Sequence, residues 1–442
     1  MANNYPLTPK EAAFIAANAY FTLDGWEKRY AFIMSKSTGK APTVNRGMAS
    51  NSVIQRNVVG AGPRSVAQAG MQGASVSKSL EGSTGSNFGR VTTGFGYVLQ
   101  FDRDGKKHVV VATRGTRPEI GYPDLLTDGN ISIARHMPGI GPVHSGFFDT
   151  YNSLLPGLTA AYPVIDSADI VHCVGHSLGG AVANLVAVNL AKRGADVRLY
   201  TFGAPRVGLK AASYNKVMNA LIGEENMFRV SHNLDPIPMI PIAPYIHIHP
   251  QIVDANNFFL GSPITSISMD NHDTNNYINS VGDKEWDDVR AAALAEHEVD
   301  KHFFQAWMKD ESWLKRSLGI AGHQGMAVLL RILRGMLSNS GYVMTGIVTA
   351  FDLIALAIKS GLTFLGAACS AAVKFIGLCA KFVGMAVEVS QDALKTLLAK
   401  MMAELKIAAK LAMAAAAKLA KSKEFEIFLR VATTGSIGLM MI

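Results

Sequence analysis

The stretch Ala168–Pro205, ADIVHCVGHSLGGAVANLVAVNLAKRGADVRLYTFGAP, leaves the chain few ways to fold. It opens on an apolar run, ADIVHCVG, with the length and β-branched content of a buried strand. A longer apolar segment, GGAVANLVAVNLAKRG, reads as a helix ended by Gly194. A second strand-like run, DVRLYTFGAP, follows. Strand, helix and strand in so short a span form a crossover unit, and a crossover places its two strands in parallel. Parallel strands need helices on both faces, so the expected class is α/β.

The neighbouring segments agree. GFGYVLQF and KHVVVAT are two apolar runs joined by DRDGK, and Asp104-Gly105 is a hairpin signal. MFRVSHNLDPIP reads as a further strand running into a proline-rich loop. Upstream, Thr8, Pro9 and Glu11 have the spacing of a capped helix start, and a helix is expected over 8–35. Residues 36–90 are rich in Gly, Ser, Asn and Ala and read as a long irregular segment. The expected division is an α/β domain over 1–300 and a helical, apolar and basic region over 301–442. In that second region the longest uncharged run, Gly335–Phe351, falls just short of a bilayer span. Lys359, Lys374 and Lys381 interrupt the apolar sequence at spacings near whole helical turns. Both a helical bundle and a membrane-active region fit this pattern.

The turn inside the crossover unit carries the chemistry. Gly175-His176-Ser177-Leu178-Gly179 fits Gly-x-Ser-x-Gly between a strand and a helix. Such a turn exposes a serine at the helix N-terminus, where free amides and the helix dipole favour a developing oxyanion. A serine needs a base, and the base needs an acid to hold its tautomer. Asp235 follows a strand and precedes prolines, and His272 lies in the polar stretch MDNHDTNNYI. Ser177, Asp235 and His272 then stand in the chain order of an α/β-hydrolase triad. His247, His249, Asp254 and Asp273 are other candidates nearby. The two oxyanion donors are expected from the backbone N–H of Leu178 and from Thr116, after the strand in VVVATRGT.

These blocks resemble the class 3, fungal-type lipases. GFGYVLQF with HVVVATRGT, VHSGFFDTY, VHCVGHSLGGAVANL with LYTFGAPRVG, and VSHNLDPIPMIP occur in family order over roughly residues 10–280. The resemblance implies an α/β-hydrolase fold, with Ser177 as nucleophile, Asp235 as acid, His272 as base, and Thr116 and Leu178 as the oxyanion hole. It makes His247 a non-catalytic histidine. It implies no cofactor and no metal. Thr113 departs from the family, where phenylalanine commonly precedes the arginine. The sequence between Thr116 and Val143 has four prolines and few large apolar residues before Leu125, a poor match to a long amphipathic lid.

Net charge is +8 and the pI is about 9.2, with lysines dense past Leu394 in an apolar context. Basic and apolar residues at helical spacing point to a membrane surface rather than nucleic acid, and no zinc-finger, RNA-binding or basic-zipper pattern is present. The three cysteines, Cys173, Cys369 and Cys379, fit no disulfide framework. The first thirty residues lack the layout of a classical signal peptide. A lipase block joined to a basic, apolar helical tail also resembles, in architecture, bacterial phospholipase effectors. That resemblance implies a phospholipid substrate, contact with a membrane surface through the C-terminal helices, and export by a specialised secretion system. It also implies an immunity protein or a secretion component as partner. The expected activity is a serine lipase or phospholipase A acting on membrane lipids. The alternatives are an esterase on soluble or neutral lipid esters and a toxin whose C-terminal helices permeabilise membranes.

Overall fold

In the computed structural model the hairpin signal is a two-residue turn. Asp104 and Gly105 both have positive φ, 52° and 71°, and Arg103 pairs with Lys106 across it. Two left-handed residues match the twist of the strands they join. The structure describes residues 7–22, 44–45, 48–60, 62, 64–84, 91–115, 134–209, 214–239, 241, 245–248, 256–265, 268–309, 331 and 334.

In chain order the strands are β1 (Val44–Asn45), β2 (Ser75–Thr84), β3 (Val91–Arg103), β4 (Lys106–Thr113), β5 (Ala134–Met137), β6 (Gly141–His144), β7 (Ile170–His176), β8 (Val197–Phe202), β9 (Gly208–Leu209), β10 (Met227–His232), β11 (Tyr245–Ile246) and β12 (Asn257–Leu260). The helices are α1 (Pro9–Asn18), α2 (Asn51–Val59), α3 (Ser145–Ile165), α4 (Leu178–Lys192), α5 (Tyr214–Ile222), α6 (Thr274–Val281) and α7 (Trp286–Lys309). The main sheet runs β1-β3-β4-β7-β8-β10-β12, with β2 paired to β3. β2, β3 and β4 are antiparallel, whereas β4, β7, β8, β10 and β12 are all parallel. A small sheet, β11-β9-β6-β5, stands apart from it. The expected crossover is β7-α4-β8, and the α/β-hydrolase fold follows from the parallel run built on it.

Strand periodicity divides the core between two faces of the sheet. Val109, Val111, Cys173 and Leu199 pack with Phe147 and Leu154 of α3 and Leu185 of α4. Val110, Ala112, Tyr200 and Phe202 pack on the other face with Ile15 of α1, Tyr277 of α6 and Trp286 of α7. Trp286 is fully buried, donates its indole N–H to the Leu7 carbonyl at 2.9 Å, and stacks on Phe258. Burial pushes the Cys173 thiol far up, so it stays protonated.

Two expectations change. The N-terminal helix starts as read, with a capping box between Thr8 and Glu11, but its described α-helical part ends at Asn18 and passes into a 3₁₀ turn over Ala19–Thr22. There the Thr22 hydroxyl bonds back to the Ala19 carbonyl at 2.7 Å, and the Thr22 carbonyl accepts the Ala49 amide at 3.1 Å. Those bonds replace the helical ladder; residues 23–35 lie outside the described residues. The span 36–90 is not irregular throughout, since it holds α2 and the ten-residue β2. Its polar residues act as connectors: Ser50 caps α2, and Asn51 Oδ1 accepts from both the amide and the hydroxyl of Ser79, at 3.0 and 2.8 Å. Strand pairing with β3 supplies the order that local sequence does not.

Helix α7 runs through residue 300 without a break. Beyond it only Arg331 and Arg334 are described, so Gly335–Phe351 and Lys359, Lys374 and Lys381 lie outside the described residues. Among the described residues, no helix is long and apolar enough to cross a membrane.

Candidate active site

Ser177 stands between β7 and α4 with φ 58° and ψ −133°. Besides Asp104 in the hairpin turn, it is the non-glycine residue with positive φ among the described residues. Such backbone costs about 1–3 kcal/mol and persists only where the surroundings impose it. Here they do: the Ser177 amide donates to the Phe202 carbonyl at 2.9 Å, and its own carbonyl accepts from the Ala181 amide at 3.2 Å. The turn closes so tightly that a Cβ on Gly175 would lie 2.4 Å from the Gly179 carbonyl carbon, and one on Gly179 would lie 2.2 Å from the Thr113 carbonyl oxygen. Thr113, the departure noted in the sequence, donates its hydroxyl to the Gly179 carbonyl at 2.7 Å and so ties the end of β4 to this turn. Arg114 is buried and donates Nε to the Gly94 carbonyl at 2.7 Å and Nη1 to the Gly115 carbonyl at 2.8 Å.

Asp235 lies three residues past the end of β10, and His272 ends a 3₁₀ turn before α6. The fold brings them together: His272 Nδ1 is 2.7 Å from Asp235 Oδ2. The same oxygen accepts the Tyr277 hydroxyl at 2.6 Å, and Oδ1 accepts the Ile237 amide at 2.9 Å. Tyr277 stays neutral because burial, and then the Asp235 charge, push its phenol well above the ordinary range. With Nδ1–H given to the carboxylate, Nε2 of His272 is the acceptor end of the ring. Neither that nitrogen nor Ser177 Oγ has a hydrogen-bond partner among the described residues, although both are buried. Buried polar atoms are rarely left so, and these two are a donor and an acceptor.

Histidine 176 binds the two halves. Its Nδ1 bonds to the Tyr20 hydroxyl at 2.8 Å, its Nε2 donates to the His272 carbonyl at 2.9 Å, and the two imidazoles lie 4.5 Å apart. Burial, with the neighbouring His272 next, holds His176 well below the ordinary histidine range, so it is neutral. Gly203 completes the packing: with φ 57°, a Cβ there would lie 2.9 Å from His272 Nδ1 and 3.0 Å from Asp235 Oδ2.

The remaining expected residues separate clearly. Leu178 is the first residue of α4, so its amide has no carbonyl a turn earlier to bond. Thr116 lies outside the described residues, as do His249 and Asp254. His247 sits elsewhere, between the Pro238 carbonyl at 2.8 Å and Arg229 Nη2 at 2.9 Å. Burial pushes the Arg229 guanidinium down to about 9. Asp273 caps α6 through the Asn275 amide at 2.7 Å. Sequence reasoning missed Tyr20, Gly203 and Tyr277. Only Tyr277 left a local trace, five residues after His272 in the same polar stretch. Among the described residues, no group of three or more His, Cys, Asp or Glu side chains is placed to hold a metal ion.

The family model for lipase (class 3) matches residues 110–245. Over this segment the chain is similar to the class 3 lipase family. The match includes Ser177 and Asp235 and stops short of His272. The chain is 32% identical over 166 residues to a secreted mono- and diacylglycerol lipase 1 of Fusarium solani, covering 36% of this chain and 47% of that one. It is 40% identical over 90 residues to a secreted mono- and diacylglycerol lipase A of Penicillium cyclopium, covering 19% and 28%. The chain thus spans less than half the length of these curated relatives. Among solved structures, a mono- and diacylglycerol lipase from Aspergillus oryzae aligns with a TM-score of 0.36 and 23% identity, over 55% of this chain and 76% of that one.

Proposed function

We propose that the class 3 lipase domain is a serine hydrolase of lipid acyl esters. One observation carries the reading: a strained serine at a strand-to-helix turn shares a fold with a buried His–Asp pair whose free imidazole nitrogen lacks a partner. In this reading Ser177 Oγ attacks the ester carbonyl and His272 Nε2 takes the hydroxyl proton. Asp235 holds the Nδ1 tautomer and stabilises the imidazolium, and Tyr277 and Ile237 hold Asp235 in place. The carbonyl oxygen becomes an oxyanion facing the Leu178 amide and Thr116. The tetrahedral intermediate collapses, His272 gives its proton to the leaving alcohol, and an acyl-serine remains. Water, deprotonated by His272, then releases the carboxylic acid and restores Ser177. None of these steps calls for a metal or an organic cofactor.

The relatives named as mono- and diacylglycerol lipases support partial glycerides as one substrate class. The lysine-dense, apolar sequence past Leu394 supports a phospholipid surface as the other, with phospholipase A chemistry and membrane contact by the C-terminal region. Export and a protein partner belong to the phospholipid reading. The test compares wild type and Ser177→Ala on diacylglycerol emulsions and on phosphatidylglycerol vesicles, with released fatty acid read by mass spectrometry. Release by wild type alone supports the reading, and the responding substrate assigns the head group. Equal release by both proteins, or none by either on any ester, overturns it.

A further inference from the structure

The loop that carries Asp235 is held from outside the family-matched region. Arg334 is buried, and its guanidinium makes a fork. Nε and Nη2 donate to the two carboxylate oxygens of Asp300 at 2.6 and 3.1 Å, and Nη1 reaches the Asn233 carbonyl at 3.4 Å. Asn233 lies two residues before Asp235. Its other groups are also engaged: its amide bonds the Leu260 carbonyl at 2.9 Å, its Oδ1 accepts the Ser262 amide at 3.0 Å, and its Nδ2 donates to Glu296. Glu296 in turn meets Arg331 at 2.9 Å, and Arg331 also reaches Asp300 at 3.5 Å. The Arg334 guanidinium lies 5.3 Å from the Phe259 ring on β12.

The next peptide passes the constraint to the base. The Leu234 carbonyl accepts the Ser268 amide and Asn271 Nδ2, each at 3.4 Å. Asn271 directly precedes His272, and its carbonyl accepts from His232 Nδ1 at 2.6 Å. One short segment, Asn233–Asp235, therefore joins Arg334 at one end to both the acid and the base turn at the other.

We infer that Arg334 is a positioning residue, through which the region beyond α7 holds Asp235 and His272 in working register. The inference rests on the ester-hydrolase reading for its effect on turnover. A planar fork is what this place requires, because two donors satisfy Asp300 while a third points at a backbone carbonyl. A lysine can neutralise Asp300 but cannot reproduce the fork. Removing the arginine leaves Asp300 buried with its charge uncompensated on that side, and lets the acid loop move. Small displacements of a catalytic pair cost turnover more than binding.

The test uses the full chain, with Arg334→Ala, Arg334→Lys, Asp300→Asn and, as a surface control, Arg193→Ala. Two quantities are read: kcat and KM on a soluble short-chain ester, and backbone hydrogen exchange by mass spectrometry. For Arg334→Ala, kcat should fall by about 10- to 100-fold with KM within about twofold of wild type. Exchange should quicken in peptides carrying Asn233–Asp235 and Ser268–His272, while β4 and β7 stay protected. Arg334→Lys and Asp300→Asn should be intermediate, and Arg193→Ala unchanged. Unchanged exchange at both segments overturns the inference. So does exchange that quickens equally in β4 and β7, or a rise in KM with kcat held. If Arg334→Ala does not fold, the Lys and Asn variants decide on the same two readouts. If wild type hydrolyses no ester, exchange alone decides the anchoring, and the failure belongs to the hydrolase reading.

Discussion

At the residue scale the site depends on positions with little local redundancy. Ser177→Ala removes the proposed nucleophile and adds no bulk, so turnover should drop by roughly 10⁴-fold or more while the fold persists. A melting curve beside the ester assay checks both halves, and retained activity would reassign the nucleophile. Gly203 is a sharper probe, because it touches no substrate in the proposed mechanism. Gly203→Ala forces a Cβ within 2.9 Å of His272 Nδ1 at a positive φ. It should cost about 1–3 kcal/mol in stability and, by shifting the imidazole, about 100-fold in kcat. Denaturant titration with steady-state kinetics measures the two together; wild-type kcat would mean the pair yields without cost. Tyr277→Phe leaves Asp235 with His272 and the Ile237 amide as donors. The lost charge-assisted bond should lower stability by about 1.5–3 kcal/mol. An equal loss in an Asp235→Asn background would show that the hydroxyl acts on something other than the carboxylate.

At the scale of elements, the hydrogen-bonded chemistry of turns was the most legible part of the sequence. Thr8 and Glu11 announced a capping box, and Asp104-Gly105 announced a two-residue hairpin, because each device depends on residues a few positions apart. Thr8→Ala should therefore destabilise the fold by about 1 kcal/mol, read as a shifted denaturation midpoint; no shift would mean the sheet alone holds α1. The β7-α4-β8 unit was legible for the same reason, with the apolar period changing at Ser177. β2 was not. Ser75–Thr84 has only Val76 and Leu80 as large apolar residues, and its order comes from β3 and from Asn51, which bonds Ser79 from 28 residues away. The end of α1 was hidden likewise, because Thr22 and Tyr20 are turned from the helix by distant partners, Ala49 and His176. Within the site, Ser177, Asp235 and His272 stood out through residue type and flanking blocks. Gly203 and Tyr20 did not, since their roles exist only once α1 and β8 meet the turn.

At the scale of the whole molecule, buried histidines tie stability to pH. Burial lowers the proton affinity of His108, His172, His176, His232 and His297 below that of an exposed imidazole. His108 and His172 stack 5.3 Å apart, with a ring nitrogen of each 3.0 Å from the other, so this contact needs at least one neutral ring. They lie on β4 and β7 with Arg103 and Arg198 lowering the proton affinity of His172 further. An unfolded chain offers the same imidazoles to water, where they protonate near pH 6.5. Below that pH the unfolded state binds more protons than the native state, so unfolding becomes more favourable as pH falls. Their contribution is complete above about pH 6.5 and is lost as the solution is acidified through the unfolded value towards the lower native ones. Melting temperature should therefore fall steadily from pH 7.5 to 5.5, a window in which ordinary carboxylates stay ionised. His172→Gln removes one of the linked protons, and so should flatten that slope even if it lowers the melting temperature at every pH. A flat wild-type profile, or an unchanged slope in the variant, would mean that the buried imidazoles protonate in place within the native sheet.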